Sequence, residues 1–244
     1  YFKNMSNGQF TPQFDIVGPI TVPNTSMYYG KDGAGENNHD LKIAEFITDA
    51  CNAVAAQGCI NFADYDSNDD GFVDLVYVLF AGYGQNAAPE TYKDDLIWPK
   101  SWTLPIPLEI GGKKIMRYGV SNELNYYPGY TFKSGPSKRI NGIGLFCHEF
   151  SHTMGLPDFY PYNKEAQKDN QAMEIWDLMD GGEYTDNGYT PTPYTTWEKE
   201  QMGWKTLSTI TETPSKVTLQ ADEALKIPTS YAKEYLILHN IQNK

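Results

Sequence analysis

The sequence predicts an α/β (α+β) fold: a twisted mixed sheet backed by one helix, a second helix bearing paired histidines, and the start of a β-rich region after them. Three observations predict it. Residues 40–56 place Leu41, Ala44, Ile47, Ala50, Cys51 and Val54 at helical spacing, so one apolar stripe can face a sheet. Val73 to Phe80 is a mostly apolar run of β-branched and aromatic residues, suited to a buried central strand. Gly144 to Phe159 carries His148, Glu149 and His152 between apolar flanks, and the glycine and proline at 155 and 157 stop a helix there.

Taken in order, Gln13 to Val17 and Pro19 to Val22 read as one or two strands, followed by a Pro-Asn turn and the aromatic Met27-Tyr28-Tyr29. Gly30 to Asn38 is a loop, and Asn37, Asn38 or His39 can cap the helix that follows. Between Asp64 and Asp74 the acidic residues fall into register. Counting from Asp66, oxygen side chains occupy the first, third, fifth and ninth places (Asp66, Asn68, Asp70, Asp74), with Gly71 sixth and the Phe72 carbonyl seventh. That is the spacing of a calcium loop of the EF-hand kind, without the twelfth-place glutamate, since Tyr77 stands there. Crowded carboxylates repel unless a cation is present, which favours a structural calcium; the plain alternative is an acidic turn that caps its own backbone.

Ala81 to Gly84 ends the Val73–Phe80 strand, and Gln85 to Pro107 reads as a loop with Trp98 and Trp102 among prolines. Ile115 to Ser121 reads as a further strand near a cleft edge, and Tyr126 to Arg139 as a Gly-, Pro- and Tyr-rich lead into a helix that starts near Asn141 or Gly142. Asn163 to Asn170 is polar and solvated. Pro193 to Trp204 reads as a short capped helix ended by Gly203, after which Lys216 to Leu219 and Tyr235 to Leu238 alternate as strands do.

The chemistry lies in residues 148–158. Residues four apart on a helix share a face, so His148 and His152 can offer their imidazoles to one point, and that point suits zinc. Glu149 projects beside it, placed to take a proton from water as a general base. Gly155 can adopt the left-handed conformation and Pro157 prevents the helix resuming, so the chain can turn back and offer Asp158 as third ligand. Three protein ligands leave a fourth position for water, the catalytic arrangement. Paired helical histidines also occur as ordinary surface residues, but apolar Ile143, Leu145, Phe146 and Phe150 bury these, and buried imidazoles beside a carboxylate need partners. Glu174, 22 positions after His152, is the alternative third ligand.

The spacing His-Glu-x-x-His-x-x-Gly-x-x-Asp resembles that of the metzincin zinc peptidases, whose third ligand is most often histidine; Asp158 in that place is similar to the immune inhibitor A-like secreted bacterial metallopeptidases. Ile175 to Gly182 looks like the turn beneath the metal in that clan, with Met179 as its methionine, and Thr195 to Trp204 resembles the helix that closes the catalytic domain. The resemblance implies a metzincin-like domain over residues 1–204, its first strand and helix upstream of residue 1, and an incomplete β-rich segment over 205–244. It implies a secreted zinc endopeptidase with a polypeptide substrate and a propeptide or upstream segment, in which the strand near 115–121 holds an extended peptide by backbone pairing. Gly155 and Met179 would support the site, and Tyr184 is a candidate oxyanion donor.

Composition sets limits on this. The 244 residues, 40% hydrophobic, can bury a substantial core in one large domain or two smaller ones. With 19 Lys+Arg against 31 Asp+Glu, a net charge of -12 argues against nucleic acid or an anionic membrane as main partner, and no apolar run is long enough for a transmembrane segment. Three cysteines allow at most one intrachain bridge, with Cys51 and Cys59 the close pair, while Cys147 reads as a buried apolar residue. The competing function is a catalytically silent peptidase-like domain that binds protein or glycan at a cell surface through its 18 tyrosines and its tryptophans; an intact His148, Glu149, His152 and Asp158 weighs against it.

Overall fold

Gly111 and Gly112, at φ 57° and 78°, form a two-residue turn between the two longest strands, with Ile110 paired to Lys113 across it. Both turn positions need φ > 0, which glycine supplies without steric cost. The structure is a computed structural model that describes residues 1–34, 39–88, 93–125, 139–169, 173–211 and 216–242. The candidate caps Asn37 and Asn38, and nearly all of 126–139, lie outside the described residues. In chain order the helices are α1 (Phe2–Met5), α2 (Ser26–Tyr29), α3 (Ile43–Gln57), α4 (Gly144–Thr153), α5 (Lys164–Asp169) and α6 (Thr196–Gln201). The strands are β1 (Val76–Tyr83), β2 (Lys100–Ile110), β3 (Lys113–Asn125), β4 (Arg139–Ile140), β5 (Ser208–Thr209), β6 (Ala224–Pro228) and β7 (Tyr235–His239). The architecture is mixed α/β with mixed sheets.

Residues 14–192 form one compact unit. Its sheet runs β1–β3–β2, with β1 parallel to β3 and β2 antiparallel, and β4 pairs with β3 at Leu124 and Asn125. Ile115, Tyr118 and Val120 of β3 are buried in one cluster with Phe46, Ile47 and Cys51 of α3, Phe80 of β1 and Leu104 of β2. The helix therefore backs the sheet through its apolar stripe, as its spacing predicts. The stripe differs in one respect. Leu41 is 59% exposed because the helix begins two residues later, and Phe46 takes the place inside.

Several expectations are corrected here. Residues 13–22 form no strand: prolines and Gly18 interrupt the run, and the aromatic stretch after it is the short helix α2. The run at 73–80 becomes β1 only from Val76, and among the described residues β1 is an edge strand, half-buried, with Leu79 pointing to solvent. The central strand is β3, and among the described residues Tyr118 to Val120 are paired on both edges, by β1 and by β2, which leaves that stretch no free backbone edge for a peptide. The expected loop at 85–107 gives way at Lys100 to β2, whose Pro105 and Pro107 fall where its pairing with β3 is irregular, between Thr103 and Leu108. Prolines are tolerated there because the strand is an edge and the ladder is already broken. Within the polar stretch 163–170, α5 forms.

Residues 1–13 and 193–244 form a second compact unit. Thr195 caps α6 through a reciprocal box with Glu198, and Gly203 follows its end at φ 74°. Tyr194 is buried beside the rings of Tyr1 and Trp204, and Phe10 stacks on Trp204. A three-stranded sheet, β5–β6–β7, follows; β7 matches the run expected at 235–238, whereas 216–219 is not a strand.

Candidate metal centre

The start of α4 is wedged against the segment 183–189. A β-carbon on Gly144 would stand 1.9 Å from the Glu183 carbonyl oxygen, and one on Gly142 would stand 2.1 Å from the backbone of Gly188, so only glycine permits this approach. The helix closes with Gly155 at φ 93° and the Gly155 amide donating to the His152 carbonyl. The chain then turns back through Pro157, and the Phe159 amide donates to the Met179 carbonyl at 2.8 Å. That bond fixes Asp158 between the helix end and the turn around Met179.

His148, His152 and Asp158 converge: one ligand atom from each lies within 4.8 Å of the others. The two rings stand 4.9 Å apart and nearly perpendicular. Asp158 Oδ1 lies 3.0 Å from His148 Nε2 and 3.3 Å from His152 Nε2. The other nitrogen of each ring is already assigned. His148 Nδ1 meets the Leu178 carbonyl at 2.9 Å and His152 Nδ1 meets the Leu156 carbonyl at 2.8 Å, and a carbonyl can only accept, so both Nδ1 atoms carry hydrogen. For neutral imidazoles, the two Nε2 atoms are then lone-pair acceptors. Asp158 Oδ1, buried between those two nitrogens, makes a third. Three acceptors aimed at one point are matched by a cation, and two imidazoles with one carboxylate suit zinc-like borderline metals.

The titrations carry the same tension. Burial depresses the His148 imidazolium, but Asp158, Glu183 and Glu149 outweigh it and push the group up to about 10. His152 moves upward too, burial being outweighed by its bonds to Asp158 and the Leu156 carbonyl. For Asp158, burial opposes ionisation, yet His148, His152 and a hydrogen bond from the Tyr162 hydroxyl hold it well below the usual carboxylate range. Burial pushes Glu149 up to about 7, against the charge of His148. Glu149 is buried on α4 next to His148.

The remaining expected residues take up clear places. Met179 is fully buried after Leu178, in a turn held by the Asp177 side chain, which accepts the Met179 amide at 2.7 Å. Tyr184 is 48% exposed, and its hydroxyl is engaged with Glu183 and Asn86. Glu174 is exposed, at φ 49°, and is not part of the converging group. In the acidic loop, Asp66 accepts the Asp70 and Gly71 amides, each at 2.9 Å, Asp70 accepts the Phe72 amide at 2.9 Å, and Asp74 accepts the Ser67 amide at 3.2 Å. Lys113 places its ammonium 2.6 Å from Asp66. Asn68 bonds Asp70 at 2.9 Å. Cys51 and Cys59 are free thiols, and Cys147 is buried, its thiol pushed up to about 12 by that burial. Sequence reasoning misses Glu183 and Tyr162; a lone glutamate after two glycines and a tyrosine in a loop carry no spacing signal.

Fold and site together define a class: the catalytic domain of a metallopeptidase. Residues 1–207 match the family model described as immune inhibitor A peptidase M6, catalytic domain, and the chain belongs to that family. It is similar to immune inhibitor A of Bacillus thuringiensis subsp. alesti, 28% identical over 218 residues, covering 82% of this chain and 31% of the relative. It is also similar to the pre-pro-metalloprotease PrtV of Vibrio cholerae serotype O1, 24% identical over 215 residues, covering 82% of this chain and 23% of the relative. The chain thus spans less than a third of the length of the curated relatives it matches. No helix among the described residues is long and apolar enough to cross a membrane.

Proposed function

We propose that this domain is a secreted, zinc-dependent endopeptidase of the metzincin type. The observation that carries the reading is the convergence of three acceptor atoms, from His148, His152 and Asp158, beside the buried carboxyl of Glu149. A zinc ion held by those three residues would act as a Lewis acid, polarising the scissile carbonyl and making water easier to deprotonate. Glu149 takes the proton from the attacking water and then delivers it to the leaving nitrogen. Gly155 turns the chain that presents Asp158, and Met179 packs in the turn whose preceding carbonyl orients His148.

The substrate is an extended polypeptide. With both edges of β3 taken at Tyr118 to Val120, the backbone edge available to it among the described residues is that of β2, which lies close to α4 and carries exposed Trp102 and Ile106. Export is supported by the relative whose name includes a pre-pro form. An oxyanion role for Tyr184 requires its hydroxyl to leave Glu183 when substrate binds. Calcium at Asp66, Asn68, Asp70, Phe72 and Asp74 requires the ammonium of Lys113 to leave Asp66, and a rise in unfolding temperature on adding calcium reads it out.

Metal analysis paired with a chelator-sensitive assay on an unfolded protein substrate tests the whole reading. One equivalent of zinc and cleavage abolished by chelation are expected. Metal uptake without cleavage, in protein freed of any upstream segment, would instead indicate a silent binding domain.

A further inference from the structure

We propose that Glu183 is a positioning residue for the metal centre: a buried carboxylate behind His148 that orients this ring and increases its strength as a ligand. The inference rests on the metal-centre reading above. Glu183 is 6% exposed, and its backbone is pinned because its carbonyl oxygen occupies the space that a side chain on Gly144 would need. The carboxylate therefore stands at a set height along α4. Its Oε2 lies 3.6 Å from His148 Nδ1, the nitrogen on the side of the ring away from Asp158.

The alternatives fail on geometry. Glu183 is not a ligand, because it faces Nδ1 while the converging atoms meet at Nε2, and it is not among the group of three. Nor is it an ordinary structural carboxylate. Oε2 is buried with no hydrogen-bond partner, and its ion-pair contact is with His148. A buried carboxylate oxygen normally has donors. Here the Nδ1–H that would serve goes to the Leu178 carbonyl, 2.9 Å away, and Glu183 Oε2 stays at 3.6 Å, beyond hydrogen-bond reach. The Leu178 carbonyl keeps the proton on Nδ1 and leaves the Nε2 lone pair outward, while the Glu183 carboxylate acts on the ring through its charge at 3.6 Å. Negative charge behind an imidazole also raises its basicity toward a metal, as in carboxylate–histidine–zinc arrangements. Tyr184 completes the support by hydrogen-bonding Glu183.

The experiment compares zinc affinity in the whole chain for the wild type, Glu183→Gln and Glu183→Asp, by competition against a chromophoric chelator, with unfolding temperature measured alongside. Glutamine keeps the shape and removes the charge; aspartate keeps the charge in the same cavity. Glu183→Gln is expected to bind zinc about 10- to 100-fold more weakly, the range typical for an outer partner of a ligand. Glu183→Asp is expected to retain most of the wild-type affinity. Equal affinity in wild type and Glu183→Gln overturns the proposal, and so does an equal loss in both variants, which would mean that shape rather than charge matters. Should Glu183→Gln fail to fold, Glu183→Asp still decides: a 10-fold or greater loss in a folded Glu183→Asp overturns it. A wild type that binds no zinc removes the metal-centre reading itself, so the two failures are distinct.

Discussion

His148 donates its Nδ1 hydrogen to the backbone carbonyl of Leu178, 2.9 Å away, and Leu178 immediately precedes the buried Met179. The acceptor is main chain, so no side-chain substitution at 178 removes it. The turn around Met179 therefore selects which imidazole nitrogen stays free, and it does so from beneath the helix that carries the ring.

Glu149→Gln separates catalysis from metal holding. The amide is nearly isosteric but cannot accept and return a proton, so hydrolysis should fall by at least about 10²- to 10⁴-fold. Zinc content should stay at the wild-type level. Full activity in this variant would remove Glu149 from the mechanism.

Asp158→Ala removes one of the three converging atoms, whereas Glu174→Ala changes an exposed side chain outside the group. Zinc measured by atomic spectroscopy after gel filtration should drop sharply in the first variant, by more than the ~10- to 100-fold in affinity that an outer partner is worth. The second should match the wild type. The reverse pattern would assign the third ligand to Glu174.

Zinc binding should release protons. His148, raised from its ordinary value to about 10, holds a proton at pH 8 in the metal-free protein, and a ligating imidazole cannot keep it on Nε2. At least one proton per zinc is expected at pH 8, and affinity should climb as pH rises toward 10. Calorimetry in buffers of different ionisation enthalpy counts the protons. Stability follows the same sign. Because the folded value lies above the unfolded one, the stabilisation from the His148 proton is complete below about pH 6.5 and is lost as pH rises through 10, so the metal-free chain should weaken over that window.

Gly144→Ala tests the wedge between α4 and residue 183. The new β-carbon would meet the Glu183 oxygen at 1.9 Å, which forces backbone movement, and a loss of at least about 1–3 kcal/mol is expected. Gly155→Ala has open space around its β-carbon and suffers only from φ 93°. Its loss should be nearer ~1 kcal/mol, about that of one misplaced backbone conformation. Thermal unfolding of the two variants checks the order.

The convergence of His148, His152 and Asp158 is legible in the sequence because it depends on local geometry: four-residue spacing and a glycine stop. The stripe of α3 is legible for the same reason. Strand β2 is not, since Pro105 and Pro107 argue against a strand unless its partner is known, and the Gly111-Gly112 turn that identifies its partner carries no hydrophobic alternation of its own. The central place of β3 is likewise a property of pairing, which apolar content does not reveal; Val73 to Phe80 is the more apolar run, yet it begins the edge strand. Glu183 is invisible for a third reason. The close approach of its backbone to α4 requires Gly144, 39 positions earlier, and no single stretch contains both.

The two-glycine turn also bears on the order in which the sheet can assemble. The β2–β3 ribbon joins neighbours along the chain and can zip from its own tip, while β1 must find β3 across 42 positions, from Val76 to Tyr118. Replacing either glycine should then slow formation of that ribbon, seen as a slower refolding phase, without altering any atom of the metal centre.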